Sequence, residues 1–145
     1  IDTHILNGSN ASIFEKLLAG ENQGTHFIAK QGITRAKKHW LKHTLKSNGQ
    51  ILLDKGAVEA VVNQGASLLP SGIESTLGAF AAGDSIDILN AKTKQVIAKG
   101  ISQYSQRDLE RIRGKKSNAI QGVLGFCPSK VIVHRDDMVV LLKSN

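Results

Sequence analysis

Apolar positions recur at two spacings along the chain, and the change of spacing separates its parts. Asp2 to Leu6 alternates weakly, as a strand does, and runs into the turn dipeptide Asn7-Gly8. Asn10 or Ser12 is placed to cap a helix in which Ile13, Phe14, Leu17 and Leu18 form a stripe at helical spacing, with Gly20 stopping it. Thr25 to Ala29 then reads as a short strand. Strand, helix and strand make a piece of a layered α/β unit that is too small to close a core by itself.

From Ile51 the texture changes to short apolar runs punctuated by glycine. The pattern predicts a strand at Ile51 to Leu53, a helix over Ala57 to Asn63 and a turn at Leu68 to Gly72. Strands follow at Ile73 to Phe80, Ser85 to Leu89 and Gln95 to Ile101. Ser105 stands as an N-cap before Leu109, Ile112 and Arg113, so a helix ending at Gly114 is expected, and a second ending at Gly125 after Ala119 to Leu124. Lys130 to His134 and Met138 to Leu142 flank Arg135-Asp136-Asp137 and read as a hairpin. Several strands within about 50 residues suggest a small barrel.

Composition narrows the class. A chain of 145 residues, 41% hydrophobic and 21% charged, suits one domain, or one small domain with an appendage. Its longest apolar runs fall far below the roughly 20 residues a membrane-spanning helix takes, so no membrane role is expected. The single Cys127 forms no internal disulfide and is expected to be a small hydrophobe in a reducing compartment. With no secretory signal in view, the sequons at Asn7 and Asn10 read as turn and cap residues. An opening at Ile1 with Met138 as the only methionine leads to the expectation of a piece of a longer chain.

The net charge of +7 is unevenly placed. Residues 30–46 carry Lys30, Arg35, Lys37, Lys38, Lys42 and Lys46 with no acid, and Trp40 stands among them. A second basic cluster comprises Arg111, Arg113, Lys115 and Lys116. Cations bind phosphates without reading sequence and an indole stacks on unpaired bases, so Arg35, Lys37, Lys38, Trp40, Arg113, Lys115 and Lys116 are the candidate nucleic-acid or anion contacts. The competing reading has Trp40 packing one domain on another and the lysines solvated.

Read in order, Lys37-Lys38-His39-Trp40, then Ile51 to Leu53 with Asp54, Gly56 and Ala57, then Ser67-Leu68-Leu69-Pro70-Ser71-Gly72-Ile73, form a recognisable series. It continues through Gly78 and Phe80, Gly83-Asp84, Ile97 to Gly100, Ser102 with Tyr104, Ile112 with Gly114, Leu124-Gly125-Phe126 and Val133 to Met138. Together these resemble the linker and PUA domain of glutamate 5-kinases, with residues 1–29 resembling the end of the family's amino-acid-kinase domain. The resemblance implies an α+β fold: a small mixed β pseudo-barrel with short helices, preceded by a β-α-β remnant of an α/β kinase domain. It implies a kinase remnant at 1–34, a basic linker at 35–48 and a PUA domain at 49–145. It further implies a parent enzyme that phosphorylates the side-chain carboxylate of glutamate with ATP and Mg2+, in the cytoplasm, as a homo-oligomer. Its catalytic residues are expected upstream of Ile1, leaving this chain inactive and without a cofactor, and its PUA module is expected to be regulatory or structural. Where the family's linker usually carries an arginine-lysine-arginine cluster before its tryptophan, this chain has Lys37, Lys38 and His39, so the fork-shaped arginine contacts are lost. The alternative is an RNA-binding PUA module, free-standing or at the tail of an RNA-modifying enzyme.

Other constellations carry less chemistry. Gly114-Lys115-Lys116-Ser117 lacks the glycine five positions earlier that a phosphate loop needs, since Leu109 stands there. His134, Arg135, Asp136 and Asp137 read as a structural turn, because successive side chains diverge. Asp84 after Gly83 is expected to bond local amides. His4, His26, His39 and His43 show no zinc-ligand spacing with cysteines or one another, and no metal is expected.

Overall fold

The computed structural model describes residues 3–5, 25–27 and 32–142. The chain divides into two compact units, Ile1–Arg35 and Ala36–Asn145. In the first, β1 (Thr3–Ile5) pairs antiparallel with β2 (Thr25–Phe27), His4 opposite His26. The helix expected around Phe14 and Leu17 lies outside the described residues.

The basic stretch is helical. Helix α1 runs Gly32–His43, a feature the charge pattern had concealed. Ala36, Trp40 and Leu41 keep helical spacing, and Lys42 places positive charge in the last turn, where the helix dipole favours it.

The second unit is built on a five-stranded sheet ordered β4-β3-β5-β6-β7. Its members are β3 (Gly49–Leu53), β4 (Ile73–Gly78), β5 (Ser85–Asn90), β6 (Val96–Ile101) and β7 (Met138–Val140). All neighbours are antiparallel except β3 and β5, which are parallel, with Ile51 level with Ile88. A parallel pair needs a crossover. Here the chain leaves β3 through α2 (Lys55–Val62), returns along β4 and only then enters β5.

Side chains of one pleat face, Ile51, Leu53, Ile86, Ile88, Ala98 and Met138, enter a core completed by Leu109 and Ile112 of α3 (Gln106–Ile112), Ile120 of α4 (Ile120–Leu124) and Ile132 and Val133. Leu52 and Leu89 are buried outside that core. The expected caps hold: Ser105 Oγ accepts from Asp108 N–H ahead of α3, and Gly125 closes α4 with φ of 81°. Asp54 caps α2, accepting Ala57 N–H at 2.8 Å.

The expected hairpin at the end of the chain does not form. Residues 130–134 make no strand; Val133 forms a single bridge to Leu68, and β7 pairs with β6 instead of with its neighbour in sequence. Ile132 and Val133 are consecutive and both buried, which the alternation of a half-buried strand does not permit. Their backbone bonds Leu68 and Gln103, remote partners that a local pattern does not reveal.

Candidate functional site

Lys37, Lys38 and Trp40 lie on the part of α1 that belongs to the second unit, and polar contacts tie this stretch to the rest of that unit. Lys37 Nζ pairs with the Asp137 carboxylate. Beyond the helix, Lys99 Nζ donates to the Leu45 carbonyl, Ser47 Oγ donates to Asp87, and Asn48 N–H donates to the Ser85 carbonyl at 2.8 Å. Asp87 and Lys99 lie opposite each other on β5 and β6, so one cross-strand pair clips the chain on its way into β3. Trp40 is 46% exposed, whereas the adjacent Leu41 is buried.

Asp137 belongs to a single 3-10 turn, Arg135–Asp137, that leads into β7. The turn is fixed at both ends: Arg135 N–H donates to Ser67 Oγ at 3.0 Å, and Asp136 N–H donates to His134 Nδ1 at 3.2 Å. The Asp136 carboxylate lies 3.5 Å from the same nitrogen. These four residues form the turn expected of them, with His134 as its cap. Arg135 also lines a cleft of about 490 Å3 with Lys38, Val61, Gly65, Asp136, Met138, Val139 and Val140.

The second basic cluster is differently disposed. Arg113 donates Nε–H to Glu110 at 2.9 Å and a terminal N–H to the Glu74 carbonyl on β4. Glu110 also accepts from Thr76 Oγ1, which in turn accepts from Gln106 Nε2 at 3.1 Å. The Thr76 hydroxyl bond, then the nearby Arg113 charge, outweigh partial desolvation and hold the Glu110 carboxyl below the usual glutamate range. Arg113 is thereby committed to joining α3 with the sheet edge. Lys115 and Lys116 are exposed and follow Gly114, whose φ of 73° and bond to the Pro70 carbonyl mark a helix terminus. Arg35 is exposed on α1. No hydrogen bond or ion pair joins the two basic clusters among the described residues.

Another cleft, of about 310 Å3, lies between the start of α2 and residues 66–72. Small residues line it, Gly56, Ala57, Ala60 and Gly72, along with Leu68 and the exposed Leu69. Among its polar groups, Asp54 is occupied as a cap and Ser67 Oγ accepts from Arg135 N–H. Asp84 bonds Ala81 N–H at 2.9 Å as expected; that bond, then one from the Asn48 side chain, lower its pKa.

Helix α1 also brings His39 and His43 together, four residues apart, with ring centroids 4.5 Å apart. The linear sequence hid this pairing because the helix was not foreseen. Two imidazoles fall short of the three protein ligands of even an open zinc site, and no group of three or more candidate ligands occurs among the described residues. Likewise, no described helix is long and apolar enough to cross a membrane.

Comparison with known proteins places these features in context. The PUA domain family matches residues 49–124. Over 141 residues the chain is 43% identical to a glutamate 5-kinase of Idiomarina loihiensis, and over 142 residues 45% identical to one of Salinibacter ruber. Each alignment covers 97% of this chain and 38% of the relative, so the chain spans little more than a third of their length. Among solved structures, a PUA domain of Aeropyrum pernix K1 aligns with 60% of this chain and 41% of its own, at 23% identity and a TM-score of 0.45.

Proposed function

The chain belongs to the PUA domain family, and we propose that it is the carboxyl-terminal part of a glutamate 5-kinase. In this reading residues 1–34 end the amino-acid-kinase domain, residues 35–48 link it onward and residues 49–145 form a regulatory or structural module. The observation that carries it is the similarity to relatives of that name along 97% of the chain. The parent enzyme moves the γ-phosphoryl group of ATP, as its Mg2+ complex, to the side-chain carboxylate of glutamate in the cytoplasm. Such transfer depends on donors and metal ions that position and neutralise the phosphates, and these would be supplied by the rest of the enzyme, leaving the present chain inactive alone.

Support for the appendage role comes from the clipped α1. Lys37 is paired with Asp137 and Arg113 with Glu110, so two of the cations that could face a nucleic acid are engaged within the protein. Lys37 on the helix, and Leu45 and Ser47 after it, fasten this stretch to the sheet of the same unit, which suits a structural role for it. Coupled detection of ADP, with glutamate and ATP supplied, tests this on the 145-residue chain and on a chain of the relatives' full length that carries it. Turnover is expected from the longer chain alone. Turnover by the short chain overturns the division of labour, and silence of both overturns the kinase assignment.

One observation favours RNA as a second partner: Trp40 is exposed on the same helix as Arg35, Lys37 and Lys38. Phosphate-only binding would be blind to sequence and fall steeply with salt, from a Kd of about 10⁻⁴ to 10⁻⁶ M. Because Trp40 is the sole tryptophan, quenching of its fluorescence by an added single strand reports stacking directly. Salt-resistant preference for one RNA would favour this reading over the kinase appendage.

A further inference from the structure

The Lys37-Lys38-His39 run before Trp40 carries no arginine fork, yet the fold brings one near it from elsewhere. Arg135, read from sequence as a turn residue, faces the same cleft as Lys38 of α1. The geometry points to a binding site for a small organic oxyanion in this cleft, its carboxylate or phosphate held between Arg135 and Lys38 and its hydrocarbon part lying on the valines.

Each part of the cleft has a reason to be there. Arg135 offers a planar fork that matches the paired oxygens of a carboxylate or phosphate, and Lys38 adds a second positive charge from another element. The neighbouring cation is not available in the same way, since Lys37 is neutralised by Asp137. That same ion pair ties α1 to the 3-10 turn, and the bond from Arg135 N–H to Ser67 Oγ fixes the backbone under the guanidinium. Both cations are therefore mounted on anchored backbone, which lowers the ordering cost of binding.

The floor is apolar: Val61 and Met138 are buried, and Val139 and Val140 are half-buried beside them. Bare phosphate would leave that surface unused, whereas a ligand with a short hydrocarbon tail covers it. Asp136 is the opposing charge in the lining. It weakens anion binding and disfavours polyanions whose further phosphates would approach it, which sets the site apart from a surface built to follow a nucleic-acid backbone.

Titration of the 145-residue chain with butyl phosphate, butyrate and inorganic phosphate, followed by backbone amide NMR, tests the proposal. Butyl phosphate and butyrate are expected to shift the amides of Lys38, Gly65, Arg135 and Val139 together and to saturate at about millimolar concentration. Inorganic phosphate, lacking the tail, should bind several-fold more weakly at the same amides. Arg135→Ala and Lys38→Ala should each weaken butyl phosphate by about tenfold, whereas Asp136→Asn should tighten it, a gain that misfolding cannot mimic. Lys115→Ala should leave it unchanged. Equal binding of butyl phosphate and inorganic phosphate, indifference to Arg135→Ala, or loss of affinity in Asp136→Asn overturns the site. A single-stranded RNA that displaces butyl phosphate and is weakened as much by Lys115→Ala as by Arg135→Ala would assign these cations to nucleic acid instead.

Discussion

Lys37 of α1 and Asp137 of the final turn, 100 residues apart, form an ion pair that joins the entering helix to the last strand of the sheet. Their side chains are 45% and 23% exposed, so water competes for the pair and its contribution is modest. Lys37→Ala and Asp137→Ala are each expected to cost about 0.2–1 kcal/mol in denaturant unfolding. The double variant should cost less than the sum of the two. A more local readout is faster amide exchange over residues 36–43, which the pair should slow if it fastens the helix.

Tyr104 is the only tyrosine, and it is buried. Its hydroxyl donates to the Ser129 carbonyl, and Ser129 N–H approaches the same oxygen at 3.3 Å. Tyr104→Phe leaves the Ser129 carbonyl with only the Cys127 thiol at 3.4 Å and removes the acceptor of Ser129 N–H, and should destabilise the fold by about 1–3 kcal/mol. Thermal unfolding of the variant against the parent chain checks this.

Burial raises the Tyr104 pKa, partly offset by its bond to the Ser129 carbonyl. Phenolate absorbance should therefore appear above the ordinary tyrosine range in the folded chain and return to that range in denaturant. The sign for stability follows: the unfolded chain releases this proton first, so the contribution is complete below the ordinary tyrosine pKa. It is lost as pH rises through the raised value. A folded midpoint at or below the unfolded one would contradict the burial argument.

Glu110 runs the other way. Its folded pKa is lowered, first by the Thr76 hydroxyl, so its contribution is present above the ordinary glutamate pKa and fades as pH falls through the lowered value. Thr76→Val should shrink that acid-side loss and loosen α3 from β4, as should Glu110→Gln. Stability measured from neutral to acid pH for the three chains separates this from the general effect of acid.

Close packing predicts a sharper response at Gly72. A Cβ there would sit 2.3 Å from Ala57 Cβ, so Gly72→Ala forces α2 away from the start of β4. The expected cost is about 1–3 kcal/mol. Gly122→Ala is the control, because nothing lies within 4 Å of a Cβ placed there.

What could be read from the linear sequence was whatever neighbours in the chain decide. Ser105 and Gly125 announce helix ends through bonds to residues a few positions away, and the runs at β3, β5 and β6 carry their own burial. Helix α1 was not legible because only Ala36, Trp40 and Leu41 mark an apolar face among its closely spaced cations. The false hairpin at Lys130 to Leu142 failed because Val133 is claimed by Leu68 and β7 by β6. The cleft was out of reach for the same reason: nothing local to Lys38 says that Arg135 will stand across from it.

The parallel pairing of β3 with β5 bears on how the chain reaches this state. Strand β3 sits between β4 and β5, both made later, and β6 gains its outer neighbour only when residues 138–140 emerge. Nucleation must therefore gather segments well separated in sequence, which places folding in the slow range for small domains, about milliseconds to seconds. During synthesis the β6 edge stays unsatisfied until β7 emerges, an invitation to pair with another nascent copy. Slow closure and a late-covered edge make yield, more than final stability, the quantity most exposed to mutation in β7.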